Sequence, residues 1–299
     1  MKWSEYNESL VRRGEILLGF DVIDNWDKEL GQMNKGKTGE PFHYPDTFVL
    51  MLGYAKVYFH LPYRQTEGIV NGHAGSRIPS IPDFSTINRR INRLNIKIKD
   101  TSKNTNSSKE EDEYIIIAID SSGTKITNRG EWMNKKWNIH RKGYLKVHIA
   151  VDIKSKKILS MEVTDEHTHD SKMLPKLVED ILRTNGCSMI DKIIADGAYD
   201  SNDIFRCLSE KGIVPCIKVR KNSRVRKTGH LFRNLSVIAQ RNNYEQWKDS
   251  VSYERRWIVE TVFSSLKRMF EEYVYSIKLK NMKQELMLKA SLYNKFLSL

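Results

Sequence analysis

Apolar positions along the chain change their period near residue 114. Before it they recur at helical spacing. Residues 1–40 predict one or two short helices that end in the glycine-spaced loop GQMNKGKTGE. PDTFVLMLGYAKVYFH, residues 45–60, predicts a buried helix opened by a proline. LPYRQTEGIVNG reads as a short helix, and RIPSIP as a turn into DFSTINRRINRL. In that last segment Ile87, Ile91 and Leu94 recur at helical spacing, Arg89, Arg90 and Arg93 take the other faces, and Asp83 or Ser85 stands ready as N-cap. Helix, turn and a second helix with arginines outward suggest a small all-α, helix-turn-helix-like reader of DNA.

TSKNTNSSKEEDE is polar and low in complexity, and predicts a linker over residues 98–113. Strand-length patterns follow it. YIIIAID is a continuous apolar run suited to a central strand, ending at Asp120. YLKVHIAVDI and KKILSMEVTD predict a hairpin, and DSKMLPKLVEDILRT an amphipathic helix. MIDKIIADGAY reads as a strand ending at Asp196, NDIFRCLSEKG as a helix stopped at Gly212, and IVPCIKV as another strand. Strand, hairpin, helix, strand, helix, strand, helix is an α/β class: a mixed sheet flanked by helices. The expected organisation is a helical DNA-binding domain at 1–97 that can also dimerise, a linker at 98–113, a catalytic domain at 114–275 and a C-terminal helix at 276–299.

In YERRWIVETVFSSLK, Tyr253 to Lys267, the residues Trp257, Ile258, Val259, Val262, Phe263 and Leu266 predict a helix packed into a core. Glu260 interrupts them. At about 100° per residue, with Glu260 at zero, Arg256 falls near −40°, Lys267 near −20°, Tyr253 near +20° and Ser264 near +40°. These residues share a polar stripe roughly 80° wide on a helix whose other faces are apolar. Glu260 is thus presented along a seam with cations one and two turns away.

Charge sharpens the picture. The net charge is +13. Residues 201–299 carry 20 Lys and Arg against 9 Asp and Glu, so almost all of the excess lies there. From Lys218 to Tyr244 there are eight Lys and Arg and no acid. Such a field attracts a polyanion, and Lys221, Arg224, Arg226 and Lys227 are candidates for phosphate contacts. No run of roughly 18 apolar residues suggests a membrane span, and the first residues lack a signal-peptide core. Cys187, Cys207 and Cys216 are odd in number and lack metal-ligand spacing, which reads as reduced thiols in a cytoplasmic protein.

Ligands of an open α/β sheet gather at the carboxyl ends of strands, where Asp120 and Asp196 are expected. Buried carboxylates without a counter-charge are costly. A divalent cation supplies that charge, and Mg2+ typically takes one or two carboxylates together with phosphate oxygens. Glu260 is a third carboxylate for such a site, with Arg256 and Lys267 placed to hold phosphates and Tyr253 to stack or hydrogen-bond.

Asp120 in AIDSSG, Asp196 in ADGAYDS, and Tyr253-x2-Arg256-x3-Glu260-x6-Lys267 resemble the DDE transposases of insertion sequences, the last motif matching their Tyr-Arg-Glu-Lys signature. LPYRQTEGIV, IPDFSTINRR and GIVPCIKVRKNSR resemble further segments of the same group, so that the likeness runs from about residue 45 to 275. The resemblance implies a ribonuclease-H-like catalytic domain, with Asp120, Asp196 and Glu260 as catalytic and metal-binding triad. It implies two Mg2+ (or Mn2+) ions, about 3.5–4 Å apart, with Asp120 bridging both and Asp196 and Glu260 each serving one. It further implies cleavage at an element's terminal inverted repeats, attack of the freed 3′-hydroxyl on target DNA, a homodimer in the synaptic complex, and a cytoplasmic, nucleoid-associated location. Only 63 residues separate Asp196 from Glu260, which favours the compact form without a β-rich insertion.

Other residues are weighed against this. Asp200 is expected to cap the helix near Asn202, and Asp152, in the middle of the hairpin, to face outward or support a turn. His167 and His169 lack partners for zinc. His140, Arg141 and Lys142, with Trp132 and Trp137, form a basic-aromatic stretch that either contacts DNA or packs in a loop. The alternatives to a transposase are a non-catalytic or domesticated DNA-binding protein, which has no need of three aligned carboxylates, and a metal-dependent DNA nuclease without strand transfer. A two-carboxylate glycosidase is poorly served by the basic field.

Overall fold

A computed structural model describes residues 3–74, 78–98, 114–126, 143–185 and 190–299. Cys187, most of the expected linker, and the stretch with Trp132, Trp137, His140, Arg141 and Lys142 lie outside the described residues. The chain divides into two compact units, Met1–Lys97 with Ser276–Leu299, and Ile98–Tyr275.

The first unit is helical: α1 (Trp3–Leu18), α2 (Trp26–Asn34), α3 (Asp46–Tyr58), α4 (Tyr63–Ala74), α5 (Phe84–Ile91) and α11 (Leu279–Leu297). α3 follows Pro45 and buries Phe48, Val49, Met51, Leu52, Tyr54, Ala55 and Val57, so it is the unit's central helix. α11 packs on α3 and belongs to this unit. The two helices approach closely at Gly53, where a Cβ would lie 3.0 Å from Leu288 Cδ2. Tyr54 Oη and Ser291 Oγ are 2.8 Å apart across the same contact. α5 begins as its sequence predicts, with the Asp83 carboxylate accepting from the Thr86 amide. Its far end is satisfied by Gln284 of α11, which donates to Ile91 O and Leu94 O.

The second unit is built on five strands: β1 (Ile115–Lys125), β2 (Tyr144–Asp152), β3 (Ile158–Asp165), β4 (Ile190–Ala195) and β5 (Val214–Ile217). Their order is β3-β2-β1-β4-β5. β1 runs antiparallel to β2, as β2 does to β3, whereas β4 lies parallel to both β1 and β5. This is a mixed sheet flanked by helices. On one face, α6 (Leu174–Asn185) and α7 (Asn202–Glu210) bury Leu177, Val178, Ile181, Ile204, Phe205 and Leu208 against Ile117, Ile119 and Ile193. α8 (Leu231–Asn242) and α9 (Tyr244–Ser250) follow β5, and α10 (Trp257–Phe270) packs on β1 and β2. Asp152 supports the β2–β3 turn, accepting from the amides of Lys154 and Ser155. Among the described residues no helix is long and apolar enough to cross a membrane.

Three expectations need correction. β1 does not stop at Asp120 but continues to Lys125. It stays paired with β2 as far as Lys125↔Tyr144, whereas its parallel ladder with β4 ends at Ala118↔Ile194. Asp120 thus lies two residues past the end of the parallel ladder while still in a strand. Trp257 is not in the core but 53% exposed. At about 100° per residue it lies near 160° from Val259, the residue at the centre of the buried face. Asp200 does not cap α7; Ser201 does, its hydroxyl accepting from the Ile204 amide.

Candidate active site

Strand alternation sets the first carboxylate. Ile117 and Ile119 face the α6–α7 layer, so Ala118 and Asp120 point to the opposite face, where α10 lies. α10 is preceded by a short 3-10 turn, Tyr253–Arg256. That turn brings Arg256 to the sheet. Arg256 Nη1 is 2.9 Å from Asp120 Oδ2, and Nη2 bonds Glu260 Oε1 one helical turn on. One guanidinium therefore joins carboxylates 140 positions apart in the chain. The seam inferred for this helix is real in its Arg256–Glu260 member, but its cation faces the carboxylates.

Asp196 follows β4 directly. Its Oδ1 accepts from the Ala198 amide at 2.8 Å, which fixes the carboxylate in a tight turn. Asp120 feels its charge. Burial raises the Asp120 carboxyl above its ordinary value, and the negative charges of Asp196 and Glu260 add to this. The Ser121 amide and the Arg256 cation oppose it. Arg256 is itself held more firmly charged: burial works against it but is outweighed by Tyr253, Asp120 and Glu260.

A cleft of about 520 Å3 opens along this seam. Asp120, Ser121, Glu260, Ser264, Lys267 and Arg268 are among its lining residues, and Asp196 is not. Among the described residues no three His, Cys, Asp or Glu side chains form a ready metal-ligand cluster. His167 is 3.5 Å from Glu166 and exposed.

Tyr253, expected to face DNA, is buried at 7% exposure with its ring 5.1 Å from that of Trp247. Lys221, Arg224, Arg226 and Lys227 are all exposed on the loop after β5. In the helical unit Arg89 and Arg93 are exposed, but Arg90 is turned inward. Its guanidinium donates to Tyr44 O and Asp46 Oδ1 and lies over the Phe42 ring. Of the three arginines expected to face outward, one is thus taken up inside its own unit.

Sequence reasoning passed over a second set of groups beside Asp120. His148, fully buried on β2, is the register partner of Ser121. Its Nδ1 is 3.3 Å from Asp170 Oδ1, and Lys146 Nζ is 2.9 Å from the same oxygen. Burial works to raise the Asp170 carboxyl, but His148, Lys146 and Ser121 together hold it well below the usual range. The Tyr199 hydroxyl is buried with no hydrogen-bond partner among the described residues. Burial pushes it far up, and Asp170, Asp120 and Asp196 push it further. The sequence signal for this set was His148, a polar residue between Val147 and Ile149 in a run of strand length.

Comparison with known proteins adds the following. A family model described as a transposase DDE domain matches residues 111–295, and a second of the same description matches residues 11–129. Several solved structures are similar at low identity. One is a piggyBac transposase synaptic complex with hairpin DNA, at 10% identity over 96% of this chain and 74% of that one, TM-score 0.41. A Drosophila P element transposase strand transfer complex matches at 11% identity over 90% and 69%, TM-score 0.35. A simian T-cell lymphotropic virus intasome structure matches at 12% identity over 70% of this chain, TM-score 0.27. The chain spans 65% of the length of the chain matched in that intasome.

Proposed function

The chain belongs to the transposase DDE-domain family, and from that premise we propose that it cuts DNA at the ends of a mobile element and joins the freed strand to target DNA. One observation carries this reading. Two carboxylates from distant parts of the chain, Asp120 and Glu260, meet on one cation in an open cleft that also holds Lys267 and Arg268.

Asp120 and Glu260, two oxygen donors on one cleft, suit a divalent metal. Asp120 is mostly buried, and its carboxyl is raised by burial and by two further acids. A cation already bridges two of the three oxygen donors. Asp120, Asp196 and Glu260 would hold Mg2+ or Mn2+, two ions in all. When bound, such ions polarise a phosphoryl oxygen and make a nucleophile from water or a hydroxyl at neutral pH. The chain's own residues do the rest by position and charge. Lys267 and Arg268 offer cations to the phosphodiester along one wall of the cleft. Arg256 bonds either the carboxylates or a phosphate, and the phosphate form leaves Asp120 and Glu260 free to hold metal. Tyr253 packs its ring on Trp247 at the turn that leads into α10. The basic loop with Lys221, Arg224, Arg226 and Lys227 binds backbone phosphates without reading sequence. Of the three arginines at and after α5, Arg89 and Arg93 are the exposed ones left to meet DNA. The protein acts as a homodimer on two element ends, in the cytoplasm.

The test incubates the purified chain with Mg2+ or Mn2+ and DNA carrying the repeats that flank its gene, and maps breaks and joined products on a sequencing gel. Breaks without joined products would reduce the protein to a nuclease. DNA binding without breaks, under both metals, would sink the enzymatic reading.

A further inference from the structure

The Asp200 side chain is fully buried, and four donors converge on it. Arg233 Nε reaches Oδ1 at 2.6 Å, and Arg233 Nη2 reaches Oδ2 at 3.1 Å. The Arg220 amide donates to Oδ2 at 3.0 Å, and the Ser223 hydroxyl donates to the same oxygen. These donors come from the start of the basic loop, from its middle and from α8. A single carboxylate gathers all three.

Other bonds run back to the catalytic turn. Arg220 Nε donates to Gly197 O at 3.0 Å, and the Lys218 amide donates to Ala195 O at 3.2 Å. Between those two carbonyls lies Asp196, whose carboxylate is held by the Ala198 amide. Segments 195–200 and 218–223 are thus one hydrogen-bonded body.

α8 braces this body from behind. Gln240 bonds the Val219 amide and Ile217 O, Arg241 bonds Ser223 O, and Asn234 bonds both the amide and the carbonyl of Arg226. The helix turns these polar side chains inward and leaves Leu231, Leu235 and Ile238 between 44% and 65% exposed. That inverts the usual amphipathic arrangement. Nor does a buried ion pair generally beat apolar packing for stability. What the arrangement provides is a basic loop of fixed geometry. In front of it lies a cleft of about 480 Å3, lined by Arg220, Asn222, Ser223, Arg224 and Arg226 with Asp200 and Arg233 at its base. Arg224 and Arg226 are exposed, and neither forms an ion pair among the described residues.

We propose that Asp200 is a positioning residue that fixes the basic loop to the turn carrying Asp196, so that a DNA backbone phosphate gripped by Arg224 and Arg226 sets the place of Asp196 on the DNA. This rests on the DNA-cutting reading above. Asp200 touches no reacting group itself.

The test uses the full chain and a fluorescein-labelled DNA duplex of arbitrary sequence. Binding is followed by anisotropy across a salt series, and amide hydrogen exchange is followed with and without the duplex. Arg224→Gln/Arg226→Gln removes the grip alone. Its slope of log affinity against log salt is expected to be shallower by about 2, with Ala198 exchange unchanged in the free protein. Asp200→Asn releases the loop. Its slope is expected to be shallower by about 1 to 2, and its Ala198 and Ser223 amides to exchange about tenfold faster without DNA. Where that variant does not fold, Asp200→Leu/Arg233→Met fills the same space without charge and is expected to regain thermal stability while keeping the shallow slope and the fast exchange. A folded Asp200 variant with native slope and native Ala198 protection overturns the proposal and leaves Asp200 a stabilising residue only. Failure of the intact protein to bind the duplex overturns the DNA-cutting reading, and the phosphate grip with it. Native binding with unmoved variants overturns this proposal alone.

Discussion

Arg256 and Asp120 form an ion pair of 2.9 Å between the start of α10 and the middle of β1, and the same guanidinium bonds Glu260. The arginine is a counter-charge shared by both acids, and at Asp120 it opposes the burial and the neighbouring negative charges that push that carboxyl up. Arg256→Gln removes that charge and leaves Asp120 mostly buried without it. We expect the variant to be less stable than the parent by about 1–3 kcal/mol in metal-free buffer. Added Mn2+ is expected to raise its melting temperature more than it raises the parent's, since a divalent ion then meets two acids with no internal competitor. Melting curves with and without Mn2+ check this. Equal metal shifts for the two proteins would argue that Arg256 and the metal do not share a site.

Removing the acids one at a time separates binding from chemistry. Asp120→Ala, Asp196→Ala and Glu260→Ala are each expected to abolish DNA cleavage while retaining affinity for duplex DNA, because the phosphate-binding cations lie on other residues. Gel assays of cleavage and anisotropy of binding, made on the same preparations, give both readouts. Full cleavage by any one variant removes that residue from the triad.

How much of this could be read from residue order alone depends on how far apart the partners lie. The places of Asp196 and Glu260 were legible: the first follows an apolar run of strand length, and the second has Arg256 at helical spacing. Asp120 was legible as a residue but not as the second partner of Arg256, since nothing local joins positions 136 apart. The Asp200–Arg233 pair was hidden for a similar reason. Its members are 33 residues apart, and Arg233 lies in a helix whose apolar stripe marks the wrong face as buried. Ser121, His148 and Asp170 meet through a strand register and a turn, and a register is fixed by pairing rather than by composition. The helices and strands themselves follow their periodicity. Where a face was misjudged, as at Trp257, the apolar run is wider than the buried stripe: on a regular helix that residue lies near 160° from Val259.

That difference of face gives a direct check. Val259 is fully buried and Trp257 is mostly exposed, on opposite sides of α10. Trp257→Ala is expected to change unfolding free energy by no more than about 0.5 kcal/mol, although it deletes the larger side chain. Val259→Ala is expected to cost about 2 kcal/mol, from two lost methyl groups and the space they leave. Urea titrations of the two variants decide the matter. A larger loss at Trp257 would mean that the indole is covered in solution.

Asp200 gives the pH dependence its sign. Burial alone would raise its carboxyl, but Arg233, Ser223 and the Arg220 amide outweigh burial and hold it below its ordinary value. A depressed carboxyl stabilises the fold above its unfolded value, near about 3.9, and that contribution disappears as pH falls through the lower folded value. At neutral pH, Asp200→Asn leaves Arg233 buried without its partner, so a loss of about 3–5 kcal/mol is expected. As pH drops below roughly 4, the parent's Asp200 must also give up its charge, and the gap between the two proteins is expected to narrow. Urea unfolding of parent and variant from pH 7 down to pH 3 measures that gap. A difference that stays constant over the whole range would show that the charge on Asp200 contributes nothing to holding the loop, and that its hydrogen-bonding shape alone does so.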